Sequence, residues 1–327
     1  MGKRWAWSLV TGFLVVLTAL TYGLFYQLPP TLTLPGTIES HTVDWDGHSR
    51  AYTFYKPANL DPSPALVFVY HGSGGDAQQS RRMFGYAFEA LAEEEGFIVV
   101  YPVGFENHYN GCRKAGPYAA NQLQIDDVGF MRQLVDLFAQ EYAVDRSAVF
   151  ATGVSNGGQM ALRLALEAPD LVAAVAPVAT SLPTPANMDC EASGVPVAFL
   201  LMNGTDDPMN PYEGGTVALY GLLGDRGEVI SSPDAVQYWA RLAGHVGEPS
   251  TRQLPDRDAD DDSTVVVSAW EAVGKKPVVL YTIVGGGHNA PHPQLRLPRL
   301  LGGTNNDIVA AQEIWQFFVG SRASLSK

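Results

Sequence analysis

Cysteine is nearly absent from this sequence. Two in 327 residues, with no CxxC spacing, are too few for a disulfide scaffold or a four-thiolate zinc site. Positive charge is also short: 21 Lys and Arg stand against 34 Asp and Glu, a formal net charge of −13. Affinity for a phosphate backbone comes from clustered cations that release counterions, so nucleic acid is not an expected partner. Internal repeats and low-complexity tracts are missing as well. Apolar residues make up 46% of the chain, the normal share for a protein that buries a core, which excludes disordered and fibrous classes.

The first 30 residues differ from the rest. Lys3 and Arg4 precede an uncharged apolar run from Trp5 to Tyr26, which ends at Gln27, Leu28, Pro29 and Pro30. At 1.5 Å per residue the run reaches roughly 33 Å, enough to cross a hydrocarbon core, whereas a cleaved signal normally has an apolar region of about 7 to 15 residues. Trp5, Trp7, Tyr22 and Tyr26 stand where interfacial aromatic belts form, and the leading cations place the N-terminus in the cytoplasm. A transmembrane anchor over residues 5–26 is expected, with a long cleaved signal peptide as the alternative. Either way the rest of the chain is expected to be exported, on the periplasmic or extracellular side. Without residues 1–30 it holds 19 basic and 34 acidic residues, a net of −15, and should not cling to anionic headgroups.

The expected organisation is a signal or anchor over 1–30, a Pro/Gly linker over 31–39 and one catalytic domain over 40–322. HTVDWDGHSRAYTFYKP reads as two alternating strands around Asp46-Gly47, a strong hairpin signal. Six short apolar runs follow: ALVFVY (65–70), FIVVYP (97–102), AVFATG (148–153), LVAAVAPV (171–178), PVAFLLMN (196–203) and PVVLYTIV (277–284). Continuous apolar runs mean strands buried on both faces, as in a parallel sheet. Between them, Phe84, Phe88 and Leu91 share one helical face, and Val128, Met131, Leu134, Val135 and Phe138 share another. Ile308, Ala311, Trp315 and Phe318 outline a closing helix, started by Asn306 or Asp307. The alternation predicts a three-layer α/β fold with a mostly parallel central sheet, helices on both faces and right-handed crossovers. Long connections over 104–121 and 208–231 fall at the carboxyl edge of that sheet, where ligands bind in open α/β folds.

The sharpest chemical signal is ATGVSNGGQMALRLALEAP, in which Gly153, Ser155 and Gly157 make GxSxG. Alone the pattern is weak. Here an apolar strand runs into the serine and a small-residue helix runs out of it, the strand, turn, helix context of a nucleophile elbow. A serine hydroxyl needs a base to take its proton, and the base needs a carboxylate to fix its tautomer. NGTDDPMNPYEGG follows one apolar strand and GGGHNAPHP another, offering Asp206 or Asp207 as acid and His288 as base, with His292 as the competitor for the base. His41, His48 and His245 lie far from any strand end of that kind. Asp207 precedes Pro208, whose ring restricts it to an extended backbone and fixes where its side chain points, so Asp207 is the expected acid. The tetrahedral intermediate needs backbone donors; Asn156 can give one N–H and Ser73, in HGSGGD, the second. GSGG is too short for a phosphate-cradling loop and lacks its lysine.

These segments resemble the extracellular polyhydroxybutyrate depolymerase and feruloyl esterase (LpqC-like) family of α/β-hydrolases. The residues that carry the likeness are HGSGGD (71–76), YPVG (101–104), DDVGFMRQLVD (126–136), GVSNGG (153–158), GTDDPMNPYEGG (204–215), VISSPDAVQYWA (229–240) and GGGH (285–288). The resemblance spans about residues 40–320. It implies a serine esterase with Ser155 as nucleophile, Asp207 as acid and His288 as base, acting on short-chain or aromatic acyl esters, small or polymeric, without metal or organic cofactor. In one place the sequence departs from the family: a tryptophan two residues past the histidine is replaced by Ala290. A serine peptidase of the same fold, or a non-catalytic binding module, are the alternatives.

Two features stand outside this scheme. PDRDADDDS spaces Asp256, Asp258, Asp260 and Asp262 like the start of a calcium loop, but Asp261 stands where such a loop needs Gly and Val267 where it needs Glu, so a solvated acidic turn is expected. Cys112 and Cys190 both fall in connections on the catalytic edge of an exported chain, where a disulfide and two free thiols are both open.

Overall fold

The computed structural model of the protein describes Gly12 and residues 27–323. Apart from Gly12, the run over 5–26 lies outside the described residues. Among those described, no helix is long and apolar enough to cross a membrane.

The hairpin opens the fold: β1 (Thr37–Trp45) pairs antiparallel with β2 (His48–Lys56). Asp46 and Gly47 hold φ of 50° and 77°, the left-handed pair that a type I′ turn requires. There follow β3 (Leu66–Tyr70), α1 (Ala77–Met83), α2 (Ala87–Glu95), β4 (Ile98–Pro102), α3 (Ala119–Gln122), α4 (Asp127–Tyr142), β5 (Val149–Val154) and α5 (Asn156–Glu167). The second half contains β6 (Ala174–Val178), β7 (Ala198–Gly204), a small ribbon of β8 (Gly215–Thr216) and β9 (Glu228–Val229), α6 (Ser232–Leu242), β10 (Ser250–Gln253), β11 (Thr264–Trp270), β12 (Val278–Val284) and α7 (Ala310–Ala323).

Ten strands form one sheet in the order β1-β2-β4-β3-β5-β6-β7-β12-β11-β10. The six from β4 through β12 run parallel, and these are the six continuous apolar runs of the sequence. Pairs at each edge run antiparallel. Alternate side chains of β3 divide between two cores: Leu66, Phe68 and Tyr70 pack with Leu134, Met160 and Trp239 from α4, α5 and α6, while Val67 and Val69 pack with Phe88, Ile314 and Phe318 from α2 and α7. The sheet is therefore sandwiched, and β3, β5 and β7, which end near the site described below, are buried on both faces, as is β12 except towards its carboxyl end.

Three expectations need correction. The helix drawn through Phe84, Phe88 and Leu91 is two helices, because Gly85 and Tyr86 take φ of 63° and 58° and Gly85 lies directly against the His292 ring. The closing helix starts at Ala310, not at Asn306 or Asp307. Those residues instead clamp the acidic segment: Asp307 Oδ1 accepts from the Arg257 and Asp258 N–H at 2.6 and 3.1 Å, and Asn306 N–H donates to Asp261 Oδ2 at 2.7 Å. The acidic turn is thus partly a structural latch, since Asp258 and Asp261 are spent on Asn306; among the described residues no group of His, Cys, Asp and Glu could hold a metal ion. The third is the antiparallel pair β10 and β11, absent from the sequence reading.

Candidate active site

Ser155 occupies the junction of β5 and α5 with φ 59° and ψ −114°, a region that side chains rarely adopt and that costs on the order of 1 to 3 kcal/mol. The sharp turn needs bare backbone on both sides. A Cβ on Gly153 would come 2.8 Å from the Tyr70 carbonyl oxygen, and one on Gly157 within 2.5 Å of it, so both glycines let β5 and α5 close on β3. The Ser155 N–H is tied to Val178 O at 2.9 Å. Its hydroxyl bonds to no other described residue and is free to meet an incoming group.

Two strands further along, β7 and β12 pair in parallel from Val278↔Phe199 to Ile283↔Gly204, so their carboxyl ends lie level. Past those ends Asp207 Oδ2 sits 2.7 Å from His288 Nδ1. Both residues are buried, at 8% and 6% exposure. Asp207 Oδ1 accepts the Met209 and Asn210 N–H, each at 2.8 Å, which leaves Oδ2 aimed at the imidazole. With Nδ1–H donating to the carboxylate, Nε2 is the free basic nitrogen. The histidine backbone is held as well, its N–H donating to Leu301 O at 2.6 Å. Asp206 is exposed, and among the described residues its side chain accepts only from its neighbour Thr205, at 2.9 Å. His292 is held differently: its Nδ1 accepts from Gln294 N–H at 3.1 Å, it pairs with no carboxylate among the described residues, and burial pushes its pKa below the ordinary value.

The loop after β3 passes beside the serine, for a Cβ on Gly72 would be 3.8 Å from Ser155 Cβ. Neither the Ser73 nor the Asn156 N–H donates to another described residue. The Asn156 side chain is clamped instead, accepting from Tyr109 N–H at 2.8 Å and donating to Tyr109 O at 3.1 Å. His71 was not recognised as a site residue in the sequence. Its Nδ1–H donates to Gly72 O at 2.7 Å, and its Nε2 accepts Gly104 N–H at 3.0 Å. Burial lowers its pKa to about 4, so it is a neutral strut that fixes the loop carrying Ser73. The one signal for it was its place, first after a buried strand.

Cys112 and Cys190 are joined in a disulfide. Ala290, where the resembling family has tryptophan, is fully buried. Beside the Ser73 loop a groove of about 550 Å³ runs between Gly74, Gly75 and Met83 on one side and Leu295, Leu297 and Leu301 on the other.

A profile of the esterase family, described as "Putative esterase", matches residues 46–233. The chain belongs to this esterase family. It is 30% identical over 282 residues to "Putative esterase NocK" of Nocardia uniformis subsp. tsuyamanensis, covering 84% of this chain and 80% of that one. It is similar to a poly(3-hydroxybutyrate) depolymerase of Ralstonia pickettii, at 26% over 60% of this chain and 42% of the relative, and to feruloyl esterase B of Talaromyces stipitatus, at 27% over 76% and 64%. The esterase thus spans most of the first relative but less than two thirds of the other two. Among solved structures, an acetyl xylan esterase from Aspergillus awamori shares the fold, with a TM-score of 0.54 at 18% identity over 79% of this chain and 96% of that one.

Proposed function

We propose that this protein is a serine carboxylesterase in which Ser155 is the nucleophile, His288 the general base and Asp207 the acid, with the Ser73 and Asn156 N–H groups as the oxyanion hole. One observation carries the reading: the short contact between Asp207 and His288 stands at adjacent strand ends of the sheet whose β5 ends in a strained, unpartnered serine. Nε2 of His288 takes the hydroxyl proton as Ser155 Oγ attacks the acyl carbon. The former carbonyl oxygen then carries the negative charge and accepts from the two free N–H groups. When the intermediate collapses, the leaving alkoxide receives that proton from the imidazolium. Water repeats the sequence on the acyl-enzyme and releases the acid. Groups of this kind cleave esters of short-chain or aromatic acids.

Lys3, Arg4 and the apolar run over 5–26 support export and anchoring of this domain on the outer side of a membrane. The substrate reading is tested with matched 4-nitrophenyl esters, 4-nitroanilides and peptides. Ester turnover with negligible amide turnover is expected, while preferential peptide cleavage would replace the esterase by a peptidase.

A further inference from the structure

Two arginines beside the Ser73 loop lie near enough to feel each other's charge, and neither is in an ion pair. Arg113 is 4% exposed, yet its side chain bonds to no described residue and joins no ion pair. Its stem is enclosed while its guanidinium nitrogens keep a little contact with solvent, and an arginine so nearly buried is rarely left without a partner. Arg226, half-buried, donates from Nε to the Tyr118 hydroxyl at 2.6 Å and from Nη1 to Gly224 O at 2.6 Å. The same tyrosine hydroxyl lies 2.8 Å from Ser73 Oγ, so Arg226 is one hydroxyl away from the residue assigned to the oxyanion hole. His108 stacks on the Tyr118 ring with 4.1 Å between centroids.

The two arginines come from distant loops that the structure locks together. The Asn187 side chain accepts Ala115 N–H at 2.9 Å and donates to Arg226 O and Glu228 O at 3.1 and 3.0 Å. The disulfide from Cys112 anchors the first loop next to Arg113. Burial and the like charge of Arg226 hold the Arg113 pKa down at about 10, which still leaves it charged at neutral pH. In a chain of net charge −13, this is a pair of cations near the Ser73 loop, neither of which is in an ion pair with an acid among the described residues.

We propose that Arg113 and Arg226 form a subsite for a carboxylate carried by the ester substrate. The inference rests on the esterase reading above and narrows its substrate class to half-esters and ester-linked hydroxy acids with a free acid group. Guanidinium groups recognise carboxylates through paired, charge-assisted hydrogen bonds.

The full-length protein is assayed with two acid and neutral pairs: 4-nitrophenyl hydrogen glutarate against 4-nitrophenyl valerate, and 4-carboxyphenyl butyrate against phenyl butyrate. The first places the acid on the acyl side, the second on the alcohol side. One pair should favour the acid in kcat/KM by on the order of tenfold or more, and this ratio should fall towards one in Arg113→Met and in Arg226→Met. Methionine fills the volume of the buried stem, Arg226, being only half-buried, is the milder of the two substitutions, and circular dichroism checks that both variants fold. Ratios at or below one for both pairs, or a preference that survives both substitutions, would overturn the subsite while turnover of the neutral esters leaves the esterase standing. Failure to hydrolyse any of the four would defeat the esterase reading itself.

Discussion

Asp206 and Asp207 are chemically identical neighbours with different environments. Asp207 reaches His288 and is braced by two backbone N–H groups, whereas Asp206 faces solvent. Asp207→Asn keeps an oxygen for those two donors, so the fold should survive, but its amide N–H now faces Nδ1 and favours the wrong imidazole tautomer. A loss on the order of 10⁴ in kcat is expected by analogy with other triads, against a few-fold change for Asp206→Asn; steady-state kinetics in the opposite order would reassign the acid. His71 supplies a pH prediction. Its pKa is about 4 in the fold against 6.5 for the ordinary residue, so between pH 6.5 and 4 the unfolded chain binds a proton that the folded chain does not. Its contribution is complete above 6.5 and is lost as pH falls through that window, up to about 3 kcal/mol. Urea unfolding at pH 7 and 4.5 should show His71→Gln losing less stability on acidification than the wild type. Ser155, Asp207 and His288 could be singled out in the sequence because each stands just past a strand end with its own motif. His71 and Arg113 were not, since what defines them are Gly104, Tyr118 and Arg226, partners that only the fold brings close.

Elements were legible where one rule governs a whole segment. A strand buried on both faces is apolar at nearly every position, which made the six parallel strands visible as continuous runs. β11 alternates between buried and half-buried positions and lies near the edge beside the wholly exposed β10, so its pattern is weak. The break between α1 and α2 depends on the ring of His292, more than 200 residues away in sequence, and periodicity alone carries no trace of it. Tertiary demand likewise took Asp307 from the helix start to the acidic loop. Among the connections, the disulfide closes a sequence separation of 78 residues. Constraint of the unfolded chain over such a loop is worth roughly 4 kcal/mol. Replacing both cysteines by serine should lower stability to denaturant by about 2 to 5 kcal/mol, read from the transition midpoint at unchanged slope; a midpoint within experimental error of wild type would show that the bridge is mechanically idle.

The whole molecule combines a strong net negative charge, two arginines near the Ser73 loop that pair with no acid, and an apolar N-terminal run. A net charge of −13 repels anionic headgroups and gives no long-range pull on acidic substrates, so the proposed carboxylate subsite at Arg113 and Arg226 would act at short range only. If the run over 5–26 anchors the chain, cell fractionation should find full-length protein in membranes with the catalytic domain open to external protease. A shortened soluble form beginning near residue 24 to 31 would show cleavage instead. The central claim is narrower than localisation: ester hydrolysis proceeds through Ser155. Its most direct test is kcat/KM for 4-nitrophenyl butyrate, measured side by side on wild type and Ser155→Ala with folding checked by circular dichroism. The elbow, the base and the oxyanion donors predict a loss of several orders of magnitude, to the residual rate that binding and backbone donors sustain alone; turnover comparable to wild type in a folded variant would contradict the account.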